Sequence, residues 1–109
     1  MAYDSAFAPF GATYLVGTSA IQVKSNNNVY PSGYRIVNLT ASLIRVGWAP
    51  QEPGDATVTP VATSPTATGI ANVLTLPANA VGVFSGIPPN AWFIASAASV
   101  EVTPGEGIA

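Results

Sequence analysis

Tyr34-Arg35-Ile36-Val37-Asn38-Leu39-Thr40-Ala41-Ser42-Leu43-Ile44-Arg45-Val46-Gly47-Trp48 is the stretch whose reading decides the fold. Two runs of β-type composition, residues 34–39 and 43–48, flank a short polar break. Side chains alternate sides along an extended chain, so Ile44, Val46 and Trp48 share one face. Leu43, Arg45 and Gly47 share the other. The stretch predicts the central hairpin of a small β-protein, with Asn38 shaping the bend. Asn38-Leu39-Thr40 also spells a glycosylation sequon. Residues 1–12 have no basic n-region and carry Asp4, so they do not read as a secretory signal, and the sequon is set aside.

Working outward, strand patterns recur between turn signals. Upstream, Tyr14-Leu15-Val16 precedes a Gly17-Thr18-Ser19 break, and Ile21 and Val23 then alternate with Gln22 and Lys24. Ser25-Asn26-Asn27-Asn28 and Tyr30-Pro31-Ser32-Gly33 are loop and turn sequences. Downstream, residues 49–68 hold Pro50, Pro53, Pro60 and Pro65 and predict one long irregular loop, with a possible short edge strand at 57–61. Residues 69–76, 81–85, 91–97 and 99–103 each read as strand. No window shows a 3.6-residue period with caps. Seven or eight short strands at this spacing predict an all-β, single-domain antiparallel β-sandwich or jelly-roll-like barrel. The expected core is Ile36, Ile44, Val46, Val81, Val83, Ile94, Val100 and Val102. Residues 13–109 are expected to form the domain and residues 1–12 an N-terminal arm. The arm is either an untethered end or an ordered segment whose aromatics, Tyr3, Phe7 and Phe10, dock on a neighbour.

Composition narrows the function. The chain has 109 residues, enough for one domain with a modest core. Charged residues make up 7 %, against roughly 25 % in ordinary soluble domains. Charge discourages self-association, so this depletion points to a surface covered by copies of the chain or by a partner. Net charge is −2 and no basic run exists, which removes the electrostatic footprint of nucleic-acid binding. No apolar run approaches the roughly 20 residues of a membrane-spanning helix.

The chain has neither cysteine nor histidine. Thiolate chemistry, cysteine-zinc sites and the commonest general base are therefore excluded. Glu52 with Asp55 and Glu101 with Glu106 are the remaining acidic pairs, and neither has the flanking pattern of a calcium loop. A serine nucleophile lacks an adjacent base, and Lys24 sits on an amphipathic strand. No catalytic, cofactor-binding or metal-binding residue is expected, and none is assigned. Trp48 and Trp92, with Phe93, fit either a stacking platform for sugars or bases, or core and interface anchors. Arg35 and Arg45 are two of only three basic residues. Each is expected to have an assigned acceptor, either one of the five carboxylates or a partner surface.

The run Ala20-Ile21-Gln22-Val23, residues 34–40 and 44–48, Leu76-Pro77, Val81-Gly82-Val83-Phe84, Phe93-Ile94-Ala95 and the closing Val100-Glu101-Val102-Thr103-Pro104-Gly105-Glu106-Gly107 form a pattern. It resembles small, Ala/Thr/Gly/Pro-rich structural proteins of tailed bacteriophages and prophages, over about residues 20–108. The resemblance implies a non-enzymatic virion component made in the bacterial host cytoplasm. The most natural role is a capsid decoration or cement protein on the outer face of the major capsid protein lattice. Such a protein would be a homo-oligomer, with a trimer favoured. It would contact the lattice through the arm or the long loop; the interface candidates read from the residues themselves are Tyr3, Phe7, Phe10, Arg35, Arg45, Trp48 and Trp92. Two alternatives stand beside it: a low-copy tail, neck or fibre-attachment protein, and a carbohydrate-binding β-sandwich using Trp48 or Trp92.

Overall fold

The computed structural model describes residues 7–25, 31, 33–51 and 58–106. Among these it shows no helix and nine strands: β1 (Ala8–Pro9), β2 (Tyr14–Val16), β3 (Ile21–Gln22), β4 (Gly33–Asn38), β5 (Ile44–Ala49), β6 (Val73–Leu76), β7 (Val81–Ser85), β8 (Trp92–Ala95) and β9 (Val100–Glu106). Every pairing is antiparallel. A five-stranded sheet runs β1-β9-β4-β7, with β2 also on β9; a four-stranded sheet runs β3-β8-β5-β6. The expected sandwich is therefore present.

The pairs β2–β9, β3–β8, β4–β7 and β5–β6 are nested. The chain is one long two-stranded ribbon whose tip is the irregular segment after β5. Alternate pairs fall in opposite sheets, which is the jelly-roll arrangement.

This topology corrects the expected hairpin. β4 and β5 do not pair; they lie in different sheets, joined by an arch at 39–43. Neither Asn-Gly nor Asp-Gly, the residues that favour a tight hairpin turn, occurs in the arch. Asn38 holds it instead, turned inward and buried. Its Nδ2 donates to the carbonyls of Ser42 (2.9 Å), Leu76 (3.2 Å) and Pro77 (2.9 Å). Its Oδ1 accepts from the Thr40 amide (2.9 Å) and hydroxyl (2.8 Å). One amide thus ties the β4–β5 arch to the β6–β7 turn, and as expected it shapes the bend. The sequon asparagine has no free face to modify.

The core between the sheets contains Val16, Val23, Tyr34, Ile36, Ile44, Val46, Leu76, Phe93, Val100 and Val102. Each such side chain removed from water contributes about 1.5–3 kcal/mol before entropy is subtracted. Three expected core residues are misplaced. On β8, Phe93 and Ala95 point inward, so Ile94 is on the outer face. On β7, Val81 and Val83 point outward while Phe84 packs on the core. Both faces of these strands carry apolar residues, so alternation alone does not say which is inside. On β8 the ring decides: Phe93 meets Tyr34 edge-to-face at 5.0 Å between centroids. The Tyr34 hydroxyl donates to the Pro88 carbonyl at 2.6 Å, and burial pushes its pKa up to about 12.

β9 lies inside its sheet although it contains Pro104. The proline is tolerated because of where its missing N–H falls. Odd-numbered residues of β9 bond to β4, so Pro104 faces the β1–β2 edge, which bends between Phe10 and Thr13. The Pro104 carbonyl still accepts the Phe10 N–H at 2.8 Å.

The segment 58–72 has no strand, so no edge strand forms at 58–61, and Thr57 lies outside the described residues. This segment crosses the outer face of β5 at Gly47, where the Val61 carbonyl occupies the space a side chain would need. The described part of the long expected loop is therefore packed against its own sheet at Val61.

Candidate interaction surface

The candidate residues are spread over the molecule. Arg35 is on the outer face of the five-stranded sheet, between Val83 and Thr103. Arg45 is on the outer face of the other sheet. Its Nη1 donates to Thr75 Oγ1 at 3.0 Å and its Nε to Ser64 Oγ at 3.4 Å. The acceptors of Arg45 are hydroxyls rather than the expected carboxylate or partner surface, and they tie the 58–72 segment to β6. No ion pair forms among the described residues, and there Arg35 has no side-chain hydrogen bond. Glu101 lies diagonally across from it on β9.

Trp48 and Trp92 occupy opposite faces of one sheet. Trp48 lies beside Phe93 and packs on the core. Trp92 is on the outer face, with Nε1 buried and without a hydrogen-bond partner. The two indoles do not form a shared platform. Phe7 lies over Gly105 of its own sheet, and Phe10 is half-buried on the same edge. The described part of the arm, residues 7–12, therefore docks within the chain. Tyr3 lies outside the described residues, as do Glu52 and Asp55. Among the described residues no three Asp or Glu side chains gather.

What the structure does bring together is apolar surface that strand patterning missed. Leu15 (63 % exposed) and Val81 (49 %) flank Glu101 and Val37 in one row across the five-stranded sheet. At the same end of the sandwich the arch presents Leu39 (51 %) and Leu43 (53 %). Four of the five large hydrophobic side chains that are most exposed among the described residues therefore sit at or beside one end. The signal in the sequence was slight: two leucines bordering a polar break.

Comparison with protein-family models, with curated proteins and with solved structures finds no match.

Proposed function

We propose that this protein is a non-enzymatic structural component of a tailed-phage virion, a decoration or cement protein bound to the outer face of the capsid lattice alongside copies of itself. The observation that carries the reading is the apolar end formed by Leu15, Leu39, Leu43 and Val81 on a chain with 7 % charge. Exposed apolar surface gathered in one place marks an interaction site. The sequence resemblance supports a virion setting. The jelly roll is compatible with it, being common to viral capsid domains, lectins and cupins, and so carries no function by itself.

The docking surface in this reading is the arch end rather than the N-terminal aromatics, since Phe7 is engaged by Gly105. Quantitative mass spectrometry of purified particles tests the role. Copy numbers comparable with the capsid protein support decoration; a handful of copies per particle points to the neck or tail instead. The double variant Leu39→Glu, Leu43→Glu tests the surface. It should stay folded and fail to bind particles.

A further inference from the structure

Two sheets leave four edges, and exposed edges invite pairing with other chains unless something blocks them. The β1–β2 edge carries Pro9 and bends at 11–13. β3 is two residues long. β6 ends at Pro77, and Arg45 bonds to Thr75 on its outer face. β7 has none of these guards. Val81-Gly82-Val83-Phe84-Ser85 contains no charge and no proline, its register on β4 is unbroken, and among the described residues no strand covers its other side.

The ladder shows which groups this edge leaves open. Asn38 N–H donates to the Ala80 carbonyl at 2.8 Å. Antiparallel bonding alternates, so Gly82 and Phe84 also direct their main-chain groups to β4. Val81, Val83 and Ser85 direct theirs away. Three N–H and three C=O groups thus line one straight edge, beside side chains that are half-exposed or exposed.

We propose that β7 pairs with β7 of a second copy of this chain, antiparallel about a two-fold axis at Val83. In that register Val83 faces the partner's Val83, and Val81 faces the partner's Ser85. All three outward residues exchange both hydrogen bonds, giving six, and the two five-stranded sheets become one. Valine, being β-branched, suits the pleated surface such a pairing forms. No charge opposes the approach: β7 has none, and the two Arg35 side chains start about 14 Å apart, three strand spacings. An identical strand uses every open group on both edges at once, and the contact closes on itself as an isologous dimer. The inference deepens the self-association part of the proposed function and is independent of the capsid part.

The test is the mass of the free protein by light scattering and sedimentation, for wild type, Val83→Pro and Val83→Lys. The Val83 N–H points away from β4, so proline there removes a donor the monomer does not use. Lysine at the same site faces solvent and adds like charge at the dyad. Wild type should be a dimer. Both variants should raise the dissociation constant at least about tenfold with an unchanged far-ultraviolet spectrum. A wild-type monomer, a trimer closed through another surface, or a dimer indifferent to both substitutions overturns the proposal. Particle binding by a monomeric wild type would overturn the dyad while leaving the capsid reading intact.

Discussion

The Val61 carbonyl lies directly over the α-carbon of Gly47, so the segment that follows β5 is seated on the strand it leaves. A methyl group at position 47 would meet backbone, which cannot swing aside as a side chain tip can. Gly47→Val should therefore lift the segment and cost about 1–3 kcal/mol, a fall in Tm of about 5–20 °C. Proteolysis within 58–72 should accelerate in parallel. An unchanged melt would mean that the segment does not rest there.

Asn38 is the most demanding polar position. Asn38→Asp replaces a donor facing three carbonyls with a carboxylate and strips the Ser42, Leu76 and Pro77 oxygens of their partner. An uncompensated buried charge is strongly destabilising, by about 3–5 kcal/mol. Urea denaturation should show a large loss of midpoint. Equal stability of the two proteins would remove the amide from its place as the clasp of the arch.

The facing of β8 separates two neighbours. Phe93→Ala should cost about 3–5 kcal/mol, as a buried ring replaced by a void. Ile94→Ser should be tolerated with the fold intact, since its side chain is on the outer face and only half-buried. The reverse order of stabilities would put Ile94 inside.

Alkaline titration should expose Tyr34. Its pKa is about 12 when folded and about 10 when unfolded, because burial disfavours the phenolate. Between those values the unfolded chain binds fewer protons than the folded one, so stability falls as pH rises. The contribution is complete below pH 10 and declines by about 2–3 kcal/mol across the window. Tyr34→Phe should flatten that part of the profile, although it also loses the bond to the Pro88 carbonyl. A slope that survives the substitution would assign the effect to another group.

The two arginines should behave differently. Arg45→Ala removes bonds to Ser64 and Thr75, both exposed, and should cost under about 1 kcal/mol while loosening the 58–72 segment. Arg35→Ala removes no side-chain hydrogen bond among the described residues and should leave Tm unchanged. A large stability loss at Arg35 would reveal a structural role that its surroundings do not show.

The sequence made the strands and the two-layer class legible because alternation and turn residues are local signals. Ile44 and Val46 with Arg45, or Val100 and Val102 with Glu101, read correctly for that reason. Strand pairing was not legible. Whether a five-residue connection closes a hairpin or arches to the other sheet depends on what the ends meet, here the carbonyls of Leu76 and Pro77 almost forty positions away. Facing was lost where both faces are apolar, at Val81-Gly82-Val83-Phe84 and Trp92-Phe93-Ile94. The candidate surface was missed for a related reason. Leu39 and Leu43 become a shared exposed end only once the arch stands up between the sheets.

The position of β9 bears on how the molecule is made. This last strand of the nine is interior to its sheet, and Thr13 Oγ1 meets Thr103 Oγ1 across 90 positions of sequence. Until residues 100–106 have been synthesised, β1 and β2 have no neighbour to pair with and β4 has only β7. Folding dominated by such distant pairings is slow. The nascent chain must wait for β9, and a translation product that stops short of it cannot close the five-stranded sheet. Synthesis of β9 is therefore the step on which closure of the five-stranded sheet depends.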